Sequence, residues 1–220
     1  RRLGHDARAM IPYYGSIDRE LYRTKVIYED LEVPTAPQNG GKLLSCNVRM
    51  YEASLDARSS VTTYFLENRE YYELRSNVYG YKDDQIRFAL LSRGSLAFLN
   101  QYHDWSPDVV VGTDWMTGFI PNFLKTDYRS YQMLSHIATV FSIHNLASHG
   151  LPKDHQFITE MERDDGQDSV PDFFGPRMEY VNAMRRGVMY ADVVNTVSKK
   201  YAEEIKTEEF GEGLHHLFHE

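Results

Sequence analysis

Ser106-Pro-Asp-Val-Val-Val-Gly-Thr-Asp-Trp-Met-Thr-Gly-Phe-Ile-Pro-Asn-Phe-Leu124 decides the fold, together with an answering stretch, Ala138-Thr-Val-Phe-Ser-Ile-His-Asn-Leu-Ala-Ser-His-Gly150. Each begins with a β-branched or apolar run, Val109 to Val111 and Thr139 to Ile143, which reads as a strand of a parallel sheet buried on both faces. Each run stops at polar residues: Asp114-Trp115 after the first, His144-Asn145 after the second. Open α/β sheets place their ligand crevice at the C-terminal ends of the strands, so these four residues become candidates for one site.

Working outward, Trp115 to Lys125 reads as the helix after the first strand, with Pro121 marking its start or a kink. Asp83 and Asp84 can cap a helix whose apolar positions Ile86, Ala89, Leu90 and Ala97 recur at helical spacing and which ends near Tyr102. Upstream, Arg8 to Ile11 is a short strand, and Lys25 to Val33, Lys42 to Tyr51 and Val61 to Leu66 are strand-like. Asn39-Gly40-Gly41 predicts a tight hairpin turn. Downstream, Lys153 to Val170 reads as a surface excursion, Pro171 to Tyr190 as helix, Val193 to Val197 as a strand, and Lys199 to Lys206 as a helix capped by Ser198. Alternation of strands and helices predicts an α/β, Rossmann-like domain with a mostly parallel sheet and helices on both faces.

The chain has 220 residues, 42% of them hydrophobic, enough for one domain with a sizeable core. Its formal net charge of −8 argues against a general partner among nucleic acids or anionic membranes, which require clustered Lys and Arg. Cys46 is the only cysteine, which excludes an intrachain disulfide and a thiolate metal cage and suits a reducing cytoplasmic compartment. No apolar run approaches the roughly 20 residues of a membrane helix. His215, His216 and His219 lack a third ligand at defined spacing, so no metal is expected there. Gly211-Glu212-Gly213 has His216 where a dinucleotide fingerprint needs its third glycine. Acyl and phosphoryl transfer have no supporting motif.

His144-Asn145 can present donors and backbone carbonyls to a sugar whose anomeric carbon gains positive charge; the alternative is a structural His at a strand end. Asp114 can accept from sugar hydroxyls and Trp115 can stack on a pyranose; the alternative is a helix-capping Asp followed by a core Trp. Tyr79, or its neighbour Tyr81, either reaches a sugar or packs on the helix that begins at Asp83. Arg185-Arg186 reads as a solvated basic pair.

Five segments in order carry a resemblance: Leu3-Gly-His-Asp-Ala-Arg-Ala-Met-Ile-Pro-Tyr-Tyr-Gly15, Tyr79-Gly-Tyr-Lys-Asp-Asp-Gln-Ile-Arg-Phe-Ala-Leu90, Asp114-Trp115-Met-Thr, Thr139-Val-Phe-Ser-Ile-His-Asn-Leu146 and Val194-Asn-Thr-Val-Ser-Lys-Lys-Tyr-Ala-Glu-Glu-Ile-Lys-Thr-Glu-Glu-Phe-Gly211. Together they resemble the bacterial and plant-type starch and glycogen synthases. The resemblance implies the acceptor-side, N-terminal half of a two-domain GT-B fold over residues 1–220, with a sheet insertion at about residues 25–66 and without the family's opening strand and phosphate-facing loop. It also implies retaining transfer of glucose from ADP-glucose, or UDP-glucose, to the non-reducing end of an α-1,4-glucan, with no metal or cofactor. It implies catalytic roles for His144, which lines the glucosyl site, for Asn145 and for Asp114, and substrate binding by Trp115 and Tyr79. Thr113 and Arg186 depart from the family, which usually has His and Gly there. A C-terminal donor-binding domain is the expected partner. The expectation is that residues 1–220 alone do not turn over; a non-catalytic glucan-binding module and one half of a split enzyme are the alternatives.

Overall fold

A computed structural model describes residues 3–51, 61–150 and 166–219. They form two compact units, one of Arg1–Val33 with Leu43–Tyr81 and the other of Pro34–Lys42 with Lys82–Glu220.

The first unit holds a four-stranded sheet of β1 (Arg8–Pro12), β2 (Lys25–Pro34), β3 (Leu43–Tyr51) and β4 (Thr62–Glu67) in the order β1-β4-β3-β2. β1 runs parallel to β4 and β3 antiparallel to it. Leu31 and Val33 of β2 and Cys46 and Val48 of β3 are buried at alternate positions, as a sheet with one enclosed face requires, while β4 buries Tyr64, Phe65 and Leu66 in succession. Burial pushes the Cys46 thiol up to about 12, so it sits there as a small hydrophobe. The connection from β2 to β3 is not the tight two-residue turn expected. It spans Thr35 to Lys42, closed by the Thr35 amide on the Lys42 carbonyl at 2.9 Å, with a 3-10 turn at Pro37–Asn39. Pro37 sets the start of that turn, and Gln38 and Gly41 then take positive φ values of 56° and 75°.

The second unit holds a three-stranded parallel sheet of β5 (Val109–Thr113), β6 (Ala138–Ile143) and β7 (Val193–Thr196), in that order. Helices α1 (Asp84–Gln101), α2 (Phe119–Lys125), α3 (Ala183–Tyr190) and α4 (Lys199–Glu204) complete it. β6 is the central strand and alternates cleanly, with Thr139, Phe141 and Ile143 buried. α3 packs closely on it: a Cβ at Gly187 would lie 2.4 Å from the Phe141 ring, so only glycine allows this approach. β5 corrects an expectation. Among the described residues it pairs with β6 alone, at one end of the sheet, and Val109 and Val111 are 48% and 60% exposed while only Gly112 is fully buried. An end strand has a single neighbour and here encloses one face, although its β-branched run reads like a central strand.

α1 is buried along most of its length, which obliges its charged residues to find partners inside. Arg87 pairs with Asp84 at 2.5 Å. Arg93 reaches Asp127 at 2.5 Å, donates to the carbonyls of Pro34 and Ala36, and lies over the Phe123 ring. Arg186 is the second correction: it is 1% exposed, not solvated, and donates to Asn122 Oδ1 at 2.9 Å and to the Asp168 carbonyl at 2.5 Å. Pro121 falls in the first turn of α2, where its missing N–H costs nothing. The segment before it, Trp115–Thr117, is a separate 3-10 turn. Most of the expected excursion at 153–170 lies outside the described residues, and at its described end Gly166 and Val170 are buried. Among the described residues no helix is long and apolar enough to cross a membrane.

Candidate active site

Parallel pairing sets the site. Thr113 is in register with Ser142, and the Asp114 amide continues the ladder to the Ser142 carbonyl at 3.0 Å, so Asp114 arrives beside the end of β6. Asp114 has φ +51°, a left-handed value that costs a non-glycine residue about 1–3 kcal/mol. Three hydrogen bonds offset that cost. Asp114 Oδ1 accepts the amides of His144 at 2.7 Å and Asn145 at 3.1 Å, and Oδ2 lies 3.1 Å from His144 Nδ1. A carboxylate can only accept, so Nδ1 carries the proton in this contact and Nε2 is the ring nitrogen that Asp114 leaves unengaged. The His144 side chain is 51% exposed. Asn145 is also exposed, and its Oδ1 accepts the Ala147 amide at 3.2 Å.

Trp115 does not offer a stacking face. It is 6% exposed, its indole meets Phe88 edge-on with centroids 4.8 Å apart, and Gly150 presses on the ring. Gly150 has φ +79°, and a Cβ there would lie 2.1 Å from a ring carbon. The core reading of Trp115 is therefore the correct one, and the pyranose-stacking expectation is replaced by support from behind. Thr117 closes the turn, its Oγ1 accepting the Thr113 amide and donating to the Thr113 carbonyl at 2.8 Å.

Other residues fix the loop after β6, and sequence reasoning did not assign them this part. The Leu146 amide donates to Tyr201 Oη at 3.0 Å. Tyr201 stands in the first turn of α4, where its own amide is capped by Ser198 Oγ at 3.1 Å; the legible cap was the only sequence signal for it. Asn182 caps α3 through Oδ1 to the Arg185 amide, which turns its Nδ2 toward His149 Nδ1 at 3.0 Å. Burial lowers the basicity of His149, keeping it a neutral acceptor for that bond. Gln85 of α1 donates to the Gly150 carbonyl at 3.3 Å and to that of Val181 at 2.8 Å. Tyr79 lies in the first compact unit and is 61% exposed, while the neighbouring Tyr81 hydroxyl accepts the Asn77 amide.

The site is thus an exposed imidazole and carboxamide on a loop whose backbone is held by a carboxylate, a phenol and the Gln85 amide, with the Asn182 amide holding the His149 side chain. Such an arrangement presents directional donors without needing to reorganise, as recognition of a polyhydroxyl substrate requires.

Known proteins agree with the fold. The family described as the starch synthase catalytic domain matches residues 1–220. The glycogen synthase of Clostridium acetobutylicum is 35% identical over 218 residues, covering 97% of this chain and 42% of that protein. That of Desulforudis audaxviator is 35% identical over 212 residues, covering 96% and 40%. The solved catalytic domain of starch synthase IV from Arabidopsis thaliana, bound to ADP and acarbose, superposes with a TM-score of 0.72 at 23% identity, covering 99% of this chain and 43% of that one. The chain spans about two fifths of the length of each of these relatives. Matched end to end by that family, and with the α/β fold of the solved starch synthase, it belongs to the starch synthase catalytic-domain family.

Proposed function

We propose that this protein transfers glucose from a nucleotide sugar to the non-reducing end of an α-1,4-glucan, in glycogen or starch synthesis, with retention at the anomeric carbon. The observation that carries the reading is the His144–Asp114 contact at the strand ends, in a chain 35% identical to a glycogen synthase over 218 residues. The ADP held by the solved starch synthase favours ADP-glucose over UDP-glucose as donor.

In this mechanism the anomeric carbon gains positive charge as the diphosphate departs. His144 hydrogen-bonds the glucosyl hydroxyls through its open Nε2, and its backbone, pinned by Asp114, faces the developing charge. Asn145 supplies further hydroxyl recognition. Asp114 acts by holding both amides and the imidazole tautomer, which leaves it less free to bind sugar directly. Stabilisation of the leaving diphosphate falls to groups outside these residues. Since the relatives are more than twice as long, turnover is assigned to a protein of their length, and residues 1–220 by themselves are expected to bind without transferring.

The test is incorporation of labelled glucose into a maltooligosaccharide by the full-length protein, with ADP-glucose and UDP-glucose compared. Transfer from ADP-glucose at the higher rate is expected. Binding of the oligosaccharide with no transfer from either donor would replace the enzyme by a glucan-binding module.

A further inference from the structure

The opposite ends of the same strands carry a second concave site. Ile137 precedes β6 and His144 follows it, so six residues, roughly 20 Å at the rise of a strand, separate the two. Around Ile137 lies a cavity of about 500 Å³ lined by Leu124, Lys125, Arg129, Leu134, Ser135 and Ile137. Leu124, Leu134 and Ile137 are buried and form an apolar floor, and Lys125, Arg129 and Ser135 complete the lining. A cavity of this size, in which an apolar floor meets a few polar groups, has the dimensions of a small-molecule site.

The charges here are ordered. Asp192 accepts the Thr139 amide at 2.7 Å and the Thr139 hydroxyl at 2.9 Å, and it holds Lys125 Nζ at 2.6 Å. Lys125 hydrogen bonding keeps the Asp192 carboxyl below its ordinary range, and the carboxylate holds the ammonium at the cavity with donors to spare. Asp127, nearby in sequence, is consumed by the buried Arg93. Arg129 has no carboxylate partner among the described residues, which leaves the lining with a surplus positive charge on a chain whose net charge is −8.

We propose that this cavity binds a small phosphate monoester with an apolar body, the phosphate taken by Arg129 and Lys125 and the body seated on Leu124, Leu134 and Ile137. A guanidinium fork matches the oxygens of a phosphate, and a fixed ammonium adds a point charge. The site stands apart from His144 and owes nothing to the proposed transfer reaction.

The test is titration calorimetry on the full-length protein with three probes: phenyl phosphate, inorganic phosphate and phenol. Phenyl phosphate should bind several-fold more tightly than inorganic phosphate, phenol should not bind measurably, and raising the salt should weaken the ester. Arg129→Ala, a change at an exposed side chain, should lower phenyl phosphate affinity by about tenfold while leaving the melting temperature unchanged. The proposal is overturned if phenyl phosphate binds no better than inorganic phosphate, or if Arg129→Ala keeps wild-type affinity, which would place any binding elsewhere. Both outcomes are independent of glucosyl transfer.

Discussion

The turns that follow β5 and β6 lie side by side at one edge of the sheet, yet they are used in opposite ways. After β5, Asp114 spends its carboxylate on two amides and an imidazole, and Trp115 is enclosed by Phe88 and Gly150. After β6, His144 and Asn145 stand exposed while their backbone is gripped from several sides. One turn holds and the other presents. Exposed polar residues gain directional precision only if their main chain cannot drift, so the buried, strained turn is the structural cost of the accessible one.

That division predicts effects of different kinds on the two sides. The largest is on the holding side: Trp115→Ala removes a ring that fills the space between Phe88 and Gly150, and it should cost about 3–5 kcal/mol of folding stability, read from the shift of the urea midpoint. A loss under about 1 kcal/mol would mean that Trp115 is not part of the core. On the presenting side, His144→Ala should lower glucosyl transfer by the full-length protein more than about a hundredfold and change stability by no more than about 0.5 kcal/mol, as an exposed substitution does. Near-normal transfer would remove His144 from the chemistry and erase the contrast.

Asp114→Asn cuts between the two functions. The amide oxygen can still accept the His144 and Asn145 amides, but the NH2 group can only donate, so His144 Nδ1 must become an acceptor and the proton moves to Nε2. The expected result is a fall in kcat of about tenfold with KM nearly unchanged and folding nearly intact. A rise in KM alone would make Asp114 a direct ligand of the sugar, as its sequence position first suggests.

Much of this was legible because strand ends announce themselves. The runs before Asp114 and His144 ended where expected, and Ser198 capped α4 as its spacing implied. What the sequence withheld depends on distant partners. Val109 and Val111 read as central because a β-branched run looks the same whether a strand has one neighbour or two; the end position is a property of topology. Arg186 read as solvated because nothing local reveals that Asn122, 64 residues away, and the Asp168 carbonyl await it. The local pattern at Trp115 leaned toward the core while the family resemblance pointed to a sugar platform, and the glycine that packs on the ring is Gly150, in another turn. Motifs locate the chemistry; long-range packing decides which member of a motif faces the substrate.

The smallest effect tests how far the holding side extends. Tyr201 reaches from α4 to the Leu146 amide, and its hydroxyl is the only polar atom that Tyr201→Phe would remove, while ring volume and the Ser198 cap persist. The amide is partly buried, so the lost bond should cost about 1 kcal/mol of stability. Leu146 itself is fully buried and anchors the loop independently, so transfer should fall only a few-fold, in kcat more than in KM. A destabilised variant with unaltered kcat would confine the grip on His144 to Asp114, making the holding side a single residue. A kcat loss without destabilisation would show that α4 tunes the presented loop rather than merely packing beside it, since an interaction felt only in the transition state leaves the folded ground state untouched.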